Sequence, residues 1–161
     1  MAAKKTETET EPVKKVDAPT FYQAVGRRKT ATARVRLYVS SADKLKNGEK
    51  EYEKGQIIVN DRLAEAYFPT EVFKKLFSEP FRTTNTLDRF VTSIKVEGGG
   101  LNGQLGAVIH GIARALETID REKYRPTLKK HGFMTRDPRA KQRRKAGFAQ
   151  KARKRKQSPK R

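Results

Sequence analysis

The chain has no cysteine and no tryptophan, and its two histidines, His110 and His131, lie far apart in the sequence. Without cysteine there are no disulfides and no thiolate metal sites, and two distant histidines do not make a zinc motif. We therefore expect no metal and no cofactor. No run of 18 apolar residues occurs, so no bilayer-spanning segment is predicted. No apolar stretch follows a basic start, as it would in a secretory signal peptide, so we expect a cytoplasmic protein with no membrane partner.

Acidic residues are scarce relative to basic ones. The 161 residues include 38 Lys and Arg against 18 Asp and Glu, which gives a formal net charge of +20. A charge of this size repels itself in a compact fold unless a polyanion neutralises it. Nucleic-acid phosphates supply that neutralisation and release counterions when they are contacted. The composition therefore predicts a nucleic-acid-binding protein.

Charge is unevenly distributed and divides the chain into three parts. Residues 1–19 carry no net charge, and their TETETEP stretch lacks large apolar residues, so a disordered leader is predicted. Residues 136–161 carry thirteen bases against the single acid Asp137, and their only large apolar residue is Phe148. Such a run is often a solvated tail, but its share of the total charge favours an extended nucleic-acid-binding arm. Residues 20–135 hold nearly all the large apolar residues and are the predicted globular domain.

The domain mixes strand and helix patterns. In ATARVRLYV, the odd-numbered residues 33–39 form an apolar face, and the even-numbered residues 32–38 form a polar face that carries two arginines. The segments TFYQAVG, QIIVN and RFVTSIKV are further predicted strands, and a polar loop or hairpin with an Asn47-Gly48 turn is expected around 41–54. EAYF, PTEVFKKLF and EKYRPTLKKHG are predicted to be helical, the last ending at Gly132. This mixture predicts an α+β fold.

The strongest helix prediction covers residues 101–120. Six apolar residues fall within about 80° of each other at helical spacing: Leu101, Leu105, Val108, Ile112, Leu116 and Ile119. The opposite face carries small residues and two polar ones, namely Gly103, Gly106, Ala107, His110 and Arg114. We interpret the apolar face as core, and the small residues as allowing a close approach of a sheet. His110 has no Ser or Cys nucleophile signature around it, which favours a satisfied histidine over a catalytic one.

Three segments carry residues suited to RNA. GRRKTATARVR combines basic residues with no nearby acid, which favours phosphate contact over a solvated strand face. In VEGGGLNGQLG, a strand ends at Gly98–Gly100 where a helix begins, and the unpaired N–H groups of a helix start bind phosphate. In GFMTRDPR, the stretch 135–138 predicts a turn that begins the basic arm, and Asp137 is expected to pair with a neighbouring arginine.

Two other functions fit parts of these patterns. Gly98, Gly100 and Gly103 match a dinucleotide-type glycine spacing, but no acid follows at the end of a second strand and there is no Walker lysine. A small phosphotransferase is therefore disfavoured, and we expect no enzymatic activity and no catalytic residues. A general nucleic-acid chaperone would also be basic with a tail, and competition between DNA and RNA would distinguish it.

The motifs together resemble the bacterial form of the S-nine family of small-subunit ribosomal proteins. The matching stretches are AVGRRKTATARV, IIVNDR with AYF, VEGGGLNGQLGAVIHGIARAL and GFMTRDPRAKQRRKAGFAQKARKR, in family order over about 20–161. The resemblance implies an α+β fold of the ribosomal-protein S-five second-domain type with a long extended basic C-terminal tail. It also implies rRNA binding in the head of the small subunit, beside neighbouring head proteins. The chain departs from the family pattern in the leader, in the 41–54 loop, and in lacking an aromatic residue before the final Ser-Lys-Arg.

The sequence and the resemblance together name the expected contact residues. Predicted rRNA contacts in the domain are Arg27, Arg28, Lys29, Arg34, Arg36, Gly98, Gly99, Gly100, His110 and Arg114. Predicted rRNA contacts in the tail are Arg136, Arg139, Lys141, Arg143, Arg144, Lys145, Lys151, Arg153, Lys154, Arg155 and Lys156. The resemblance further implies that the tail reaches the peptidyl-site tRNA and that Lys160 and Arg161 contact its anticodon stem-loop.

Overall fold

The computed structural model describes residues 21–39, 44–47, 50–148 and 151–153. In chain order these form β1 (Phe21–Arg28), β2 (Ala31–Tyr38), β3 (Lys44–Asn47), β4 (Lys50–Glu53), β5 (Ile57–Val59), β6 (Arg62–Leu63), α1 (Ala64–Tyr67), α2 (Glu71–Thr83), β7 (Val91–Glu97), α3 (Leu101–Ile119) and α4 (Arg121–Lys130). The leader 1–19 and Gly48 of the predicted turn lie outside the described residues, as do Lys154, Arg155, Lys156, Lys160 and Arg161 of the tail.

Five strands form one mixed sheet in the order β1-β2-β7-β5-β6. Its neighbours are antiparallel except β5 and β7, which run parallel and are connected through α1 and α2. The strands β3 and β4 pair separately as an antiparallel hairpin. The sheet and the helices that pack on it confirm the predicted α+β fold.

Alternation along β2 and β7 places the core on one face of the sheet. Ala33, Val35 and Leu37 of β2 are fully buried. On β7, Val96 is paired in register with Ala33, and Ile94 is paired with Val35. The helix α3 packs on this face against β1 and β2. The predicted apolar face is confirmed for these three residues of β2, because successive side chains of a strand point to opposite sides. It was wrong for Val39, which lies just past the end of β2 and is 42% exposed.

Tyr38 lies on the face of β2 where the alternation placed it, but it is buried there. Tyr38 is only 6% exposed and belongs to a second, smaller apolar cluster with Ile58 and Val91, against which Tyr52 of β4 packs. The segment 41–54, predicted to be a loop or a hairpin, contains the hairpin β3–β4, and Tyr52 of β4 covers this end of the otherwise open sheet face. Cover by a distant hairpin is a tertiary effect that the alternation of one strand does not contain.

The helix α3 buries both of its long faces. Leu105, Val108, Ile112 and Leu116 of the predicted apolar face are buried, whereas Leu101 is 48% exposed because it begins the helix at its outer end. On the opposite face, Gly103, Ala107 and Gly111 are also buried. The helix therefore lies between the sheet on one side and α2 and α4 on the other.

The helices α2 and α4 have ends that lie near sequence signals. Pro69 precedes α2, although the helix starts only at Glu71 and continues past Pro80. The side chain of Asp120 accepts a hydrogen bond from the Lys123 amide at 3.0 Å and so caps α4. Gly132, with a φ of +77°, follows the last turn of α4, as predicted.

Candidate nucleic-acid interface

The turn between β1 and β2 carries an exposed cation at its tip. Arg28 pairs with Ala31, so only Lys29 and Thr30 form the connection. Lys29 has a φ of +52°, a backbone conformation that tight two-residue hairpins require. Lys29 and Thr30 are both exposed, so the hairpin presents the lysine to solvent at the end of the sheet.

The three-glycine loop packs directly against this turn. A Cβ at Gly98 would lie 2.6 Å from the Thr30 carbonyl oxygen, and one at Gly99 would lie 3.2 Å from the Thr30 hydroxyl. Both glycines have positive φ, which L side chains rarely adopt. Close approach and backbone conformation therefore both require glycine here, and they bring the start of α3 beside Lys29.

The first turn of α3 exposes amide donors beside that lysine. Gly100 is the N-cap residue, and within the described part of the chain no side chain caps this end. The amides of Gly103 and Gln104 bond back to the Gly100 carbonyl at 2.8 and 2.9 Å. The N–H groups at the very start of an α-helix have no intrahelical partner and attract anions. Lys29, Thr30 and residues 99–103 line one shallow depression suited to a phosphate.

Two glycines hold the hairpin tightly on α3. A Cβ at Gly26 would lie 1.9 Å from the Ala107 carbonyl oxygen, and one at Gly111 would lie 2.7 Å from a Val35 methyl group. The backbones of β1 and α3 therefore meet without intervening side chains. The small residues of α3 have the packing role that the sequence predicted for them.

His110 and Arg114 extend this contact along β1. The Arg27 amide donates to Nδ1 of His110 at 3.3 Å, and Arg114 Nη1 donates to the Val25 carbonyl oxygen at 2.6 Å. Burial lowers the pKa of His110 below its usual value, and the nearby Arg114 and Arg136 guanidinium groups lower it further. The histidine is therefore neutral at pH 7. Both side chains bond to the protein itself, and their contact with RNA stays a prediction.

Asp137 joins the start of the basic segment to the hairpin. Its Oδ2 accepts from Arg28 Nη1 at 2.5 Å and from Arg139 Nη2 at 2.6 Å, and its Oδ1 accepts from the Arg139 amide at 2.9 Å. The hydrogen bonds from Arg139 hold the pKa of Asp137 well below its usual range, and Arg28 lowers it further. We call Arg28, Asp137 and Arg139 the exit clasp. The hydrogen bonds between Asp137 and Arg139 are the predicted pairing of this acid with a neighbouring arginine.

The described part of the basic segment, from Arg136 on, contains neither helix nor strand, and beyond the exit clasp it is exposed except at the half-buried Phe148 and Ala152. Its exposed predicted contact residues are Arg136, Lys141, Arg143, Arg144, Lys145, Lys151 and Arg153. Arg153 Nε donates to Gln142 Oε1 at 3.1 Å, and the Lys145 amide donates to the Lys151 carbonyl oxygen at 3.2 Å. These bonds place Arg153 beside Gln142 and Lys151 beside Lys145. Arg144 has a contact of its own within the protein.

The predicted cluster in GRRKTATARVR is divided between two faces of the sheet. Arg28 extends over Gly106 of α3, on the helix-covered face. Arg34 and Arg36 lie on the opposite face, where Arg34 is paired in register with Lys95. Lys95 was not among the predicted contacts, although its position between Ile94 and Val96 already indicated an outward side chain. The structure thus places Lys29, the glycine loop and the exit clasp together and separates Arg34 and Arg36 from them.

The described residues hold neither a metal cluster nor a membrane-spanning helix. Among them, no group of three or more His, Asp or Glu side chains is arranged to hold a metal ion. Within the same ranges, none of the helices is both long and apolar enough to cross a bilayer.

Comparison with known families gives a match over most of the chain. A family model described as ribosomal protein S9/S16 matches residues 26–161. The matched region begins at Gly26, where β1 meets α3, and includes the turn at Lys29 and Thr30, the glycine loop, the exit clasp and the whole basic segment.

Proposed function

The chain belongs to the ribosomal protein S9/S16 family and is a small-subunit ribosomal protein that binds rRNA, and we propose that it does so through the hairpin tip. The hairpin tip is defined here as Lys29, Thr30, Gly98–Gly100 and the start of α3. The observation that carries this proposal is the packing of the glycine loop on the hairpin turn. It puts a lysine and unpaired helix amides around one depression, and an rRNA phosphate there would accept hydrogen bonds from both.

The exit clasp sets where the basic segment leaves the domain. Arg28 anchors Asp137, and Asp137 in turn orients Arg139, so the first residues of the segment start from a fixed position beside α3. We propose that the bases from Arg136 to Lys156 then follow rRNA in the subunit head, among neighbouring head proteins in the cytoplasmic ribosome. The resemblance also supports an S-five second-domain-type fold with an extended tail.

A salt titration tests the hairpin tip. Removing one phosphate contact reduces the slope of log affinity against log salt by about 0.9 on duplex RNA regions, by analogy with B-DNA. We expect Lys29→Gln in the full chain to lower the slope by about one, measured with small-subunit rRNA. The control Lys75→Gln, at an exposed lysine on α2, is expected to leave the slope unchanged. An unchanged slope for Lys29→Gln contradicts the phosphate contact.

A competition experiment separates rRNA recognition from general nucleic-acid chaperone activity. A structural rRNA protein is expected to keep most of its binding when unrelated duplex DNA competes at equal phosphate concentration. A chaperone would exchange between the two polyanions, because phosphate contacts alone carry no sequence information.

We also propose that Lys160 and Arg161, which lie outside the described residues, contact the peptidyl-site tRNA. The support is the family resemblance and the position of these two bases in the matched region. Because the aromatic residue expected nearby is missing, we assign the contact to charge alone. An exposed charge contact contributes about 1 kcal/mol, since solvent and salt screen it.

Deleting Ser158 to Arg161 tests this contact. We expect subunits to assemble normally but to bind peptidyl-site tRNA up to about tenfold more weakly, with a larger loss at low magnesium. Reversing Arg143 and Arg144 to Glu is expected to impair assembly instead. Normal tRNA affinity of the deletion variant at both high and low magnesium rules the contact out.

A further inference from the structure

The sheet face opposite α3 is a second, separate basic surface. Strand register places Arg34, Arg36 and Lys95 on this face, together with Thr32 and Ser93. Arg27, on the other side of Thr32 from Glu97, lies on the same face at its hairpin end. Arg34 and Lys95 are exposed, and no described helix packs over them. We call Arg34, Arg36 and Lys95 the open-face cations. Among the described residues of these rows, the one acid is Glu97, which lies next to the hairpin tip opposite Thr32.

Two of these cations are direct neighbours of like charge. Arg34 and Lys95 are partners in the antiparallel register of β2 and β7. Like charges directly opposite each other on one sheet face destabilise the pair. A bound anion would remove this repulsion between Arg34 and Lys95. An acidic residue at either of the two positions would remove it within the protein itself, but both positions are basic. The arrangement therefore fits a surface that is neutralised by a partner.

The third cation is held in a fixed position. Arg36 Nε donates to Gln23 Oε1 at 3.0 Å, and its guanidinium carbon lies 4.9 Å from the centre of the Phe21 ring. A guanidinium that is already ordered loses less freedom when it binds a phosphate.

We infer that the open-face cations bind the backbone of a second RNA segment, on the side of the sheet opposite the segment bound by the exit clasp and the residues after it. The inference rests on the proposed rRNA-binding function and adds that the domain lies between two RNA segments. The charge of the face selects RNA over a protein partner, because contiguous phosphates neutralise three cations without any specific acidic sequence.

Arg34→Glu tests the inference with a substitution that is not expected to destabilise the fold. The substitution replaces a like-charge pair with an opposite-charge pair, so the melting temperature of the free protein should stay the same or rise. The affinity of the full chain for small-subunit rRNA should fall about tenfold at low salt and less at high salt. Lys95→Glu should reproduce both results, and Lys75→Glu on α2 should change neither.

Hydroxyl-radical footprinting of reconstituted small subunits locates the contact. We expect Arg34→Glu to expose one group of nucleotides and Arg143→Glu, in the exit segment, to expose a different group. If Arg34→Glu leaves the wild-type footprint while Arg143→Glu alters it, the open face does not bind RNA. If both expose the same nucleotides, one segment serves both sides and the inference is wrong. If neither variant alters the footprint, the proposed rRNA contact itself fails. Loss of a cross-link to a ribosomal protein with an intact footprint would assign the face to an acidic protein.

Discussion

Gly26→Ala is expected to separate the hairpin from α3. The added Cβ would lie 1.9 Å from the Ala107 carbonyl oxygen and 2.3 Å from the Gly111 amide nitrogen. Ordinary contact begins near 3.5 Å, so the helix and the strand must move apart by about 1.5 Å. Both obstructing atoms belong to the backbone and cannot rotate away. Overpacking of a core costs about 1–3 kcal/mol, and we expect the upper end of that range here.

Urea unfolding of the full chain measures this cost. With a slope of about 2 kcal/mol per molar, a loss of about 3 kcal/mol lowers the midpoint by about 1.5 M. The matched variant Gly103→Ala has the opposite expected sign. Its Cβ would meet Ala31 and Arg28 atoms at an ordinary 3.7 Å, and alanine in a helix gains up to about 1 kcal/mol over glycine. Equal midpoints for Gly26→Ala and the wild type would refute the close-packing argument.

Two further predictions concern titratable groups of the interface. The pKa of His110 is lower in the folded than in the unfolded protein. Its contribution to the free energy of unfolding is therefore complete above the unfolded pKa of about 6.5 and is lost as the pH falls through the folded pKa. His110→Gln should remove that part of the pH dependence of the melting temperature. Because the pKa of Asp137 lies well below its usual range, the exit clasp should stay ionised at pH 6 as at pH 8. Cleavage by trypsin after Arg136 and Arg139, measured relative to an unstructured reference peptide at each pH, should therefore be equally slow at both. Asp137→Asn should speed that cleavage, and the control Asp88→Asn, at an exposed acid, should not. Equal cleavage rates in the wild type and both variants would show that the exit clasp does not hold the segment.

Much of the fold was predictable because its signals are local. The two-residue period in β2, the helical period from 101 and the glycine after α4 each depend on residues within one element. The position of the glycine loop between a strand and a helix was also visible in the sequence. These features identified the hairpin tip as two separate candidate segments, but they did not show that the segments are in contact.

Features that depend on distant parts of the chain were not predictable in the same way. The Arg28 arm of the exit clasp joins residues 109 positions apart, and the bond from the Arg27 amide to His110 spans 83 positions. Tyr38 is buried because Tyr52 and its hairpin cover one end of the open sheet face. The division of the arginines between two faces does follow from strand alternation. Proximity along the chain groups these arginines in the sequence, whereas the structure separates them.

The most direct test of rRNA binding at the hairpin tip is a comparison of Gly100→Glu with Gly100→Ala. A Cβ at Gly100 meets no atom within 4 Å, so the alanine and the first carbon of the glutamate side chain both have room. A glutamate at the start of α3 interacts favourably with the helix dipole, so the free Glu variant should melt no lower than the Ala variant. Its carboxylate nevertheless lies where we place an rRNA phosphate. We predict that Gly100→Glu binds small-subunit rRNA at least about tenfold more weakly than Gly100→Ala, a difference of about 1.4 kcal/mol. Equal affinities of the two variants, measured at low salt, would contradict rRNA binding at the hairpin tip.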